Sequence, residues 1–408
     1  MDLATFRWLL TPPGQRLLAA AEAAYAEHPT DPVVAAAALR GRGSADHTAA
    51  TLTQARLRRR ASDKFGDLAA AMYFTPDGLE QATRRRVAAH RAARVALAGP
   101  SSVLDAGCGI GGDLVALAHT GLVVAGVDRD PVTVAVAEAN LAALGLGGAV
   151  RVADATAVDL PPFGLVFADP SRRTSRGRVF DPAAWSPPWS FVETLLAGRA
   201  CVKTAPGIPH RLVPEGVEAE WVSEDGEVKE ACLWSPPLAA ARRRATVIPS
   251  TELRTSPSAG SGQAPGGLAT LSDEDDPGSP GVRRVGAFLY EPDGAVIRAG
   301  LVTAVAAGVN GGLVDRRIAY VTGDEPFVTP FARSYRVLEE LPFHEKQLRA
   351  ALRARNIGAL TIKKRGVQVA PEQLRKRLAL SGDEEATIVL TRVAGKGTTL
   401  LVRPLQPV

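Results

Sequence analysis

The sequence predicts an α/β protein built around a parallel sheet, with a helical segment before the sheet and a smaller α+β unit after it. Two observations predict the sheet: from Ser102 onward short β-rich runs alternate with helical patterns, and a glycine-rich loop follows the first run. Strands and helices that alternate at this spacing favour a parallel sheet covered on both faces. The third observation is the length, because 408 residues exceed one small domain and two or three units are expected.

Residues 1–95 are expected to form a helical domain. Apolar residues recur at helical spacing in the stretch LLAAAEAAYA and again between Leu79 and Leu97. Residues 64–83, which contain Tyr73-Phe74, come shortly before the sheet. They are expected either to fold over the glycine loop as a lid or to take a hydrophobic packing role, and the sequence supports both alternatives equally.

Residues 96–249 are expected to form the sheet domain. Its five β-rich runs are, in order, SSVLDA, VVAGVD, AVRVAD, FGLVFAD and RACVKTA. A helical pattern that starts at Pro131 separates the second run from the third, and proline is common in the first turn of a helix. Asp225-Gly226 then lies between two further β-rich runs, which is a hairpin signal.

Residues 250–282 and 283–408 complete the predicted organisation. The first range is rich in Ser, Gly and Pro and ends in an acidic run, so a flexible linker is expected there. The second alternates strand-like segments such as ALTIKKRG with helical segments such as PEQLRKRLAL, which predicts a smaller α+β domain.

Composition argues against several protein classes. No apolar run approaches the ~20 residues that span a bilayer, so no membrane partner is expected. The cysteines, Cys108, Cys201 and Cys232, are odd in number and lack CxxC spacing, which argues against a disulfide framework and against a metal site. These features together predict a cytoplasmic protein, and they leave its oligomeric state open.

The charge distribution is uneven along the chain. The net charge is only +5, yet basic residues are in excess in residues 40–94 and 333–403, while the region between them is net acidic. Two basic flanks could follow the backbone of a polyanion such as RNA. The alternative explanation is that both flanks are solvated helix faces.

A glycine-rich loop follows the first predicted strand, in VLDAGCGIGGD. Gly107, Gly109 and Gly111 permit positive φ angles and a close approach of the backbone to a ligand. Dinucleotide sites use similar loops, but here Asp105 precedes the first glycine and disfavours a pyrophosphate. A carboxylate at this point can hold the cationic aminoacyl end of S-adenosylmethionine, which is therefore the predicted cofactor.

Two more aspartates end predicted strands. Asp128 ends the second strand, where a carboxylate can accept hydrogen bonds from both ribose hydroxyls. Asp154 ends the third strand and could accept a hydrogen bond from the exocyclic amine of adenine. Each aspartate taken singly is more typical of a helix cap or a turn. Together with Asp105 they stand at successive strand ends around one glycine loop, which favours a cofactor site.

The fourth predicted strand ends in Asp169-Pro170, followed by Ser171-Arg172-Arg173. Ligands of parallel sheets lie beyond the carboxyl ends of the strands, so Asp169, Pro170 and Arg172 are the predicted catalytic residues. Amino-methylating enzymes commonly have Asp or Asn, two prolines and an aromatic here, and they act by positioning the target amine. Ser171 and Arg172 depart from that pattern. A loop stabilised by an Asp–Arg pair is the alternative.

Other side chains near this loop bear on the acceptor. Phe180, Trp185 or Trp189 could supply the missing ring for a flipped base, and arginines such as Arg176 would suit a phosphate-bearing acceptor. Carbon methylation through a cysteine nucleophile is not favoured, because Cys201 lies inside the fifth predicted strand.

With these motifs in place, the chain resembles the bacterial class I methyltransferases that carry a C-terminal THUMP-like domain. The blocks that carry the resemblance are KFGDLAAAMYFTPDGLEQATR, VLDAGCGIGGD, FADPSRR, YEPDGAVIRAGL and PFHEKQLRAALRARNIGALTIKKRGV. The resemblance implies a Rossmann-like class I methyltransferase sheet in residues 96–249 and a THUMP-like α+β fold in residues 283–408. It implies cofactor contacts from Asp105, Gly107, Gly109, Gly111, Asp128 and Asp154, with Asp169-Pro170 facing the acceptor.

RNA is the expected partner, and a nucleobase amine is the expected methyl acceptor. THUMP domains proper bind RNA, and basic residues of the C-terminal domain could form one face for phosphates. These residues are Lys363, Lys364, Arg365, Arg349, Arg353, Arg355, Arg375, Lys376 and Arg377. Two alternatives stay open: methylation of a protein or small molecule, and a non-catalytic module that binds cofactor and RNA.

Overall fold

The chain forms two compact units in a computed structural model. The first unit comprises Met1–Thr204, Arg211–Val217 and Cys232–Ala239; the second comprises Ala205–His210, Glu218–Ala231 and Ala240–Val408. The structure describes residues 1–29, 31–170, 173–174, 177–178, 186–249, 263–264, 267–278 and 280–405, with the backbone alone at Pro32 and in the segments 173–174, 177–178 and 263–264.

Helices form the N-terminal part of the first unit. Their starts follow from local capping, because the side chains of Asp2, Thr11 and Ser44 each accept a hydrogen bond from a backbone N–H of the helix that follows. The helices are α1 Leu3–Leu9, α2 Pro12–Glu27, α3 Pro32–Ala37, α4 Ala45–Phe65, α5 Pro76–Gln81 and α6 Arg85–Leu97.

A parallel sheet forms the rest of the first unit, in the strand order β3-β2-β1-β4-β7. Its elements are β1 Ser102–Ala106, α7 Gly112–Ala118, β2 Val123–Asp128, α8 Pro131–Ala143, β3 Ala149–Val152, β4 Leu165–Ala168, β5 Arg173–Thr174, β6 Gly177–Arg178, α9 Trp189–Leu196 and β7 Ala200–Thr204. The predicted α/β fold is confirmed, and each of the five β-rich runs contains one strand of this sheet.

The second unit contains a further set of strands and a seven-stranded sheet. The first set has β8 Glu218–Glu224, β9 Glu227–Trp234, β10 Arg243–Ile248, β11 Gln263–Ala264 and β12 Leu268–Ser272, and β9 passes into the first unit from Cys232 onward. The turn between β8 and β9 has Asp225 and Gly226 at positive φ, as the hairpin prediction requires.

The seven-stranded sheet has the order β14-β15-β13-β16-β19-β18-β17, and its pairs are antiparallel except β17 with β18. Helices α12 and α13 bury Leu348, Leu352, Leu374 and Leu378 in one cluster with β17 and β18 side chains. The elements are β13 Phe288–Pro292, α10 Gly294–Ala299, α11 Val302–Gly308, β14 Gly312–Asp315, β15 Ile318–Gly323, β16 Ala332–Leu341, α12 Glu345–Arg353, β17 Ile357–Lys364, α13 Pro371–Leu378, β18 Glu384–Val393 and β19 Lys396–Pro404.

The prediction of a flexible linker over residues 250–282 is wrong for Leu268–Ser272. This segment is strand β12, which pairs antiparallel with β10, and Ala269 is buried there. A Gly- and Pro-rich composition concealed a short run that is extended and apolar enough to add to a sheet. Residues 250–262, 265–266 and 279 of the predicted linker lie outside the described residues. The other predicted domain boundaries stay predictions.

The N-terminal helices share a core with the glycine loop of the first unit. Tyr73 and Phe74 are buried in one apolar cluster with Ile110 of the loop and Val136 of α8. This packing is what the second alternative for residues 64–83 expected. The loop is therefore covered on one side by side chains that precede the sheet by about 30 residues in the chain.

Asn140 of α8 ties this N-terminal segment to the loop through three hydrogen bonds. Its amide donates to the carbonyl oxygens of Tyr73 at 3.0 Å and Ile110 at 2.8 Å, and its Oδ1 accepts the N–H of Tyr73 at 2.6 Å. The side chain is fully buried. Buried backbone groups that lose such partners are costly, so Asn140 is expected to stabilise both segments.

We expect Asn140→Ala to lower the free energy of unfolding by about 3 kcal/mol, because it leaves buried backbone groups without partners. Urea denaturation followed by circular dichroism measures this. Glu138→Ala on the exposed side of the same helix is the matched control and should change stability by less than about 0.5 kcal/mol. Equal effects of the two substitutions would contradict the assigned role of Asn140.

Candidate active site

The glycine loop leaves open space above its backbone. Gly107 and Gly109 have φ angles of 108° and 55°, and a Cβ placed on either residue would meet no atom within 4 Å. A ligand can therefore approach this backbone closely. Gly111 differs, because a Cβ there would lie 3.2 Å from the Cβ of Ala137, so this glycine permits close packing of the loop on α8.

Asp105 is a buried carboxylate beside this loop, near the end of β1. It is 1% exposed, and neither of its oxygens has a hydrogen-bond partner in the part of the chain that the structure describes. Burial raises the pKa of Asp105 well above its usual range, and the charges of Asp113 and Asp169 raise it further. A cationic ligand group would satisfy both the unpaired oxygens and the local excess of negative charge.

Asp113, in the first turn of α7, is held by side chains from the N-terminal segment. Arg91 of α6 forms an ion pair with its Oδ1, and Thr83 donates to its Oδ2 at 2.9 Å. Burial alone would raise the pKa of Asp113, but the charges of Arg91 and Lys203 and the hydrogen bond from Thr83 bring it below its usual range. Asp113 is therefore ionised and connects α6 to the glycine loop.

Asp169 stands at the carboxyl end of β4 and forms an ion pair with Lys203 of β7. In the sheet register Ala168 pairs with Val202, so the next residue of each strand reaches the same edge. The Lys203 ammonium contacts Oδ2 of Asp169, and the side chains are 14% and 34% exposed. The carboxylate is thus accessible with one oxygen already engaged. Sequence reasoning missed Lys203, although a lysine is an unusual residue inside a strand such as ACVKT, whose other residues are buried.

Asp128 lies at the end of β2 and supports the loop. Its Oδ2 accepts the N–H of Gly109 at 3.1 Å, and its Oδ1 accepts the N–H of Asp130 at 3.0 Å. A carboxylate oxygen has two lone-pair sites, so these contacts leave capacity for ligand hydroxyls. Asp128 is therefore placed beside the open space of the loop.

Asp154 follows β3 and occupies a more exposed position. It accepts hydrogen bonds from the hydroxyl of Thr156 at 2.7 Å and from its N–H at 2.9 Å, and Arg129 lies 3.9 Å away. The hydrogen bonds from Thr156 hold the pKa of Asp154 below its usual range. In this structure Asp154 caps a short turn, which is the alternative that its position after a strand also allowed.

The remaining predicted acceptor residues are described only in part. Pro170 follows Asp169 directly and is buried, whereas Arg172, Arg176, Phe180 and Trp185 lie outside the described residues. Trp189 opens α9, and its indole N–H donates to Glu193 at 3.1 Å. The described part of the acceptor loop is therefore Asp169-Pro170 with its partner Lys203.

The cysteines are all buried. Burial raises the pKa of the Cys108 thiol, and the charges of Asp105 and Asp128 raise it further, so this thiol stays protonated. Cys201 is fully buried inside β7. Neither has the environment of a reactive nucleophile.

Most arginines of the predicted C-terminal basic face contact groups within the second unit. Arg349 and Arg377 pair with Glu345 of α12, and Arg353 donates to the carbonyl oxygen of Ala379 at 3.0 Å. The other pairs are Arg355 with Glu339, Arg375 with Glu372, and Lys363 with Glu291. The surface of α12 and α13 is basic by its sequence, but nearby carboxylates partly neutralise it in the fold.

In the part of the chain that the structure describes, no group of three or more His, Cys, Asp and Glu side chains is arranged to hold a metal ion. None of the helices that the structure describes has the length and apolar character needed to cross a bilayer.

Comparisons with known proteins agree with this architecture. Residues 103–171 match a family model described as a methyltransferase domain, and residues 332–404 match one described as THUMP domain-like. The crystal structure of a protein described as a methyltransferase from Porphyromonas gingivalis W83 has a TM-score of 0.72 at 21% identity and covers 96% of this chain and 99% of that chain. This similarity confirms the class I methyltransferase fold with a THUMP-like domain after it.

Two curated relatives extend the comparison to sequence. Both are described as uncharacterised S-adenosylmethionine-dependent methyltransferases of Mycobacterium tuberculosis, from strains CDC 1551 / Oshkosh and ATCC 25618 / H37Rv. Each is 40% identical over 352 residues, which are 83% of this chain and 90% of the relative. The chain therefore belongs to the S-adenosylmethionine-dependent methyltransferases and is an enzyme that uses S-adenosylmethionine as its cofactor.

Proposed function

We propose that this enzyme transfers the methyl group of S-adenosylmethionine to a nucleobase amine of RNA. The observation that carries the proposal is the Asp169–Lys203 pair at the carboxyl ends of β4 and β7, beside the unpaired carboxylate of Asp105. This arrangement offers a place for a cationic cofactor and a hydrogen-bond acceptor for an amine at one edge of the sheet.

The cofactor fits the residues around the glycine loop. Asp105 would hold the cationic aminoacyl end, because its buried oxygens have no other partner among the described residues. Gly107 and Gly109 would let the loop backbone lie against the ligand. Asp128 would accept the ribose hydroxyls. When bound, the cofactor supplies a methyl group on a positively charged sulfur, and the rest of the cofactor departs as a neutral thioether.

Two further predicted contacts complete the proposed cofactor site. Asp154 would face the adenine, although its Oδ1 already accepts two hydrogen bonds from Thr156 in this structure. Gly111 would act indirectly, because it brings the loop close to α8. Both assignments predict weaker effects on cofactor binding than those of Asp105 and Asp128.

Asp169 would position the acceptor. Lys203 engages its Oδ2, which leaves Oδ1 to accept a hydrogen bond from the target amine. Pro170 restricts the backbone at the point where the carbonyl oxygen of Asp169 could accept a second hydrogen bond. An amine held in this way presents its lone pair toward the methyl group, and its proton passes to water after transfer. Arg172 is proposed to contact an acceptor phosphate.

Two observations support RNA as the acceptor class. Residues 332–404 match a THUMP domain-like model, and THUMP domains proper bind RNA. Basic residues are also in excess in residues 40–94 and 333–403, on both sides of a net acidic region. Protein and small-molecule acceptors are the alternatives that the decisive experiment must separate from RNA.

We expect radioactive label from methyl-labelled S-adenosylmethionine to enter total RNA taken from a strain that lacks the gene. Digestion to nucleosides, followed by chromatography, should place the label on a nucleobase amine. Asp169→Ala is the matched inactive control. Label that enters only protein or small metabolites would contradict RNA as the acceptor. Cofactor binding without turnover on any pool would favour a non-catalytic module.

We expect Asp105→Asn to weaken S-adenosylmethionine binding by about 100-fold, because it removes the charge that pairs with the aminoacyl end. The melting temperature of the free protein should not fall, since the substitution removes a buried carboxyl that has no hydrogen-bond partner in the ranges that the structure describes. Titration calorimetry and thermal melts measure the two effects. A lower melting temperature with unchanged affinity would assign Asp105 a purely structural role.

Binding should also release a proton through Asp105. Its pKa is raised in the free protein, and a cation beside it lowers that pKa in the complex. Between the two pKa values affinity therefore rises with pH, and below both values it is weakest. Calorimetry in buffers of different ionisation enthalpy measures the released proton, which Asp105→Asn should abolish.

We expect Asp169→Ala to lower turnover by about 1,000-fold and Lys203→Met by about 100-fold, because the acceptor amine loses its positioning contact. Affinity for S-adenosylmethionine should change by less than about 3-fold in both. Lys203→Arg should restore part of the activity, since it keeps a cation beside Asp169. A loss of cofactor affinity equal to the loss of turnover would contradict this division of roles.

A further inference from the structure

We infer that a cationic tip of the second unit binds the phosphodiester backbone of the RNA substrate. The tip consists of the exposed side chains of Arg316, Arg317, Arg392 and Lys396. The inference rests on the proposed function, because it names the surface that would hold the RNA while one of its bases is methylated.

Two turns of the seven-stranded sheet are joined to form this tip. Asp315, in the β14–β15 turn, accepts the N–H of Arg317 at 2.8 Å and the N–H of Gly395 in the β18–β19 turn at 2.7 Å. The N–H of Ala394 donates to the carbonyl oxygen of Val314 at 3.0 Å. These hydrogen bonds hold the two turns together, so the cations of both turns lie on one surface.

The cations of the tip form no ion pair within the described residues, in contrast to Arg349 of α12 and Arg355 after it. The charges of Arg317 and Arg392 nevertheless act on Asp315 and help to lower its pKa. Asp315 is the acidic side chain at the joint, and it is 9% exposed. The backbone hydrogen bonds from Arg317 and Gly395 hold its pKa below the usual range, so it stays ionised as a backbone partner.

The end of β17 adds one more cation to this surface. A Cβ placed on Gly366 would lie 2.0 Å from Cδ1 of Ile318, so the chain after β17 packs directly against the start of β15. Arg365 donates its N–H to the carbonyl oxygen of Leu390 in β18 at 3.0 Å. Lys364, one of the basic residues that the sequence indicated, thus extends the tip, whereas the guanidinium of Arg365 lies 3.9 Å from Glu291 and over the ring of Tyr320.

Unpaired cations are the ones that gain most from phosphate. A lysine or arginine that neutralises a phosphate releases condensed counterions, which is the main source of salt-dependent affinity. An arginine already paired with glutamate must first give up that partner. Arg349 and Arg377, both paired with Glu345, are in this position. The tip is therefore expected to contribute more to RNA affinity than the helix surface.

The test uses the full-length protein and a short fluorescein-labelled RNA hairpin, with affinity measured by anisotropy over a range of KCl concentrations. The tip variant is R316Q/R317Q/R392Q/K396Q. The matched control, R349Q/R353Q/R375Q/R377Q, removes the same number of charges from α12 and α13. We expect the tip variant to bind on the order of 100-fold more weakly and to lower the salt slope by about 3. The control should weaken binding by less than about 5-fold.

Equal losses in the two variants would overturn the inference, because net charge alone would then explain binding. Unchanged affinity in the tip variant would overturn it as well. Displacement of the hairpin by polyglutamate, at the same charge concentration as by RNA, would assign the tip to an acidic protein instead. Thermal melts and cofactor affinity check that both variants fold, and R316Q/K396Q should show an intermediate loss if the larger variant is unstable.

The outcome also separates this inference from the proposed function. Hairpin binding that maps to the tip, with no methyl label entering RNA, would leave the inference standing and contradict the proposed function. Methyl transfer to RNA with unchanged KM in the tip variant would support the proposed function and contradict the inference.

Discussion

A buried carboxyl group, that of Asp105, has no hydrogen-bond partner within the described residues, and this is the constraint on which the ligand edge of the first unit depends. The ligand edge comprises the glycine loop and the carboxyl ends of β1, β2 and β4. Asp105 lies in a region of negative charge to which Asp113 and Asp169 also contribute. Arg91 forms an ion pair with Asp113, and Lys203 forms one with Asp169. Their pairing leaves Asp105 as the one carboxyl of these three residues without a partner in the described part of the chain, so a cation that binds beside it lowers its raised pKa and allows it to ionise. A positively charged cofactor meets this requirement, whereas a dinucleotide pyrophosphate would increase the repulsion.

The N-terminal helices contribute to the same group of charges, because two of their side chains bind Asp113. Arg91 and Thr83 come from that part of the chain, and both bind Asp113 in the helix that follows the glycine loop. Asn140 fixes the loop from the other side through Ile110 and Tyr73. The loop conformation therefore depends on contacts from several helices, and loss of the N-terminal segment would expose it on one face.

The sequence predicts the features that depend on neighbouring residues and misses those that depend on contacts between residues far apart in the chain. The alternation of strands and helices and the loop around Gly107 are local patterns, and they identify the fold and the cofactor edge. Lys203 pairs with a residue 34 positions away, so only the β4–β7 register reveals the contact. The number of cations in the sequence overestimates the charge of the basic face. Arg377, for example, pairs with Glu345, which lies on a different helix. Composition likewise concealed the strand Leu268–Ser272, whose partner is β10.

The pairing of Asp169 with Lys203 also bears on the type of chemistry that this edge suits. A carboxylate whose one oxygen contacts an ammonium offers a single directional acceptor, which orients an amine more narrowly than a freely rotating group. Orientation is what a neutral amine requires, because its own lone pair attacks the methyl group. The buried thiols of Cys108 and Cys201 offer no comparable nucleophile. An edge arranged in this way favours direct transfer to nitrogen over a route through a covalent enzyme intermediate.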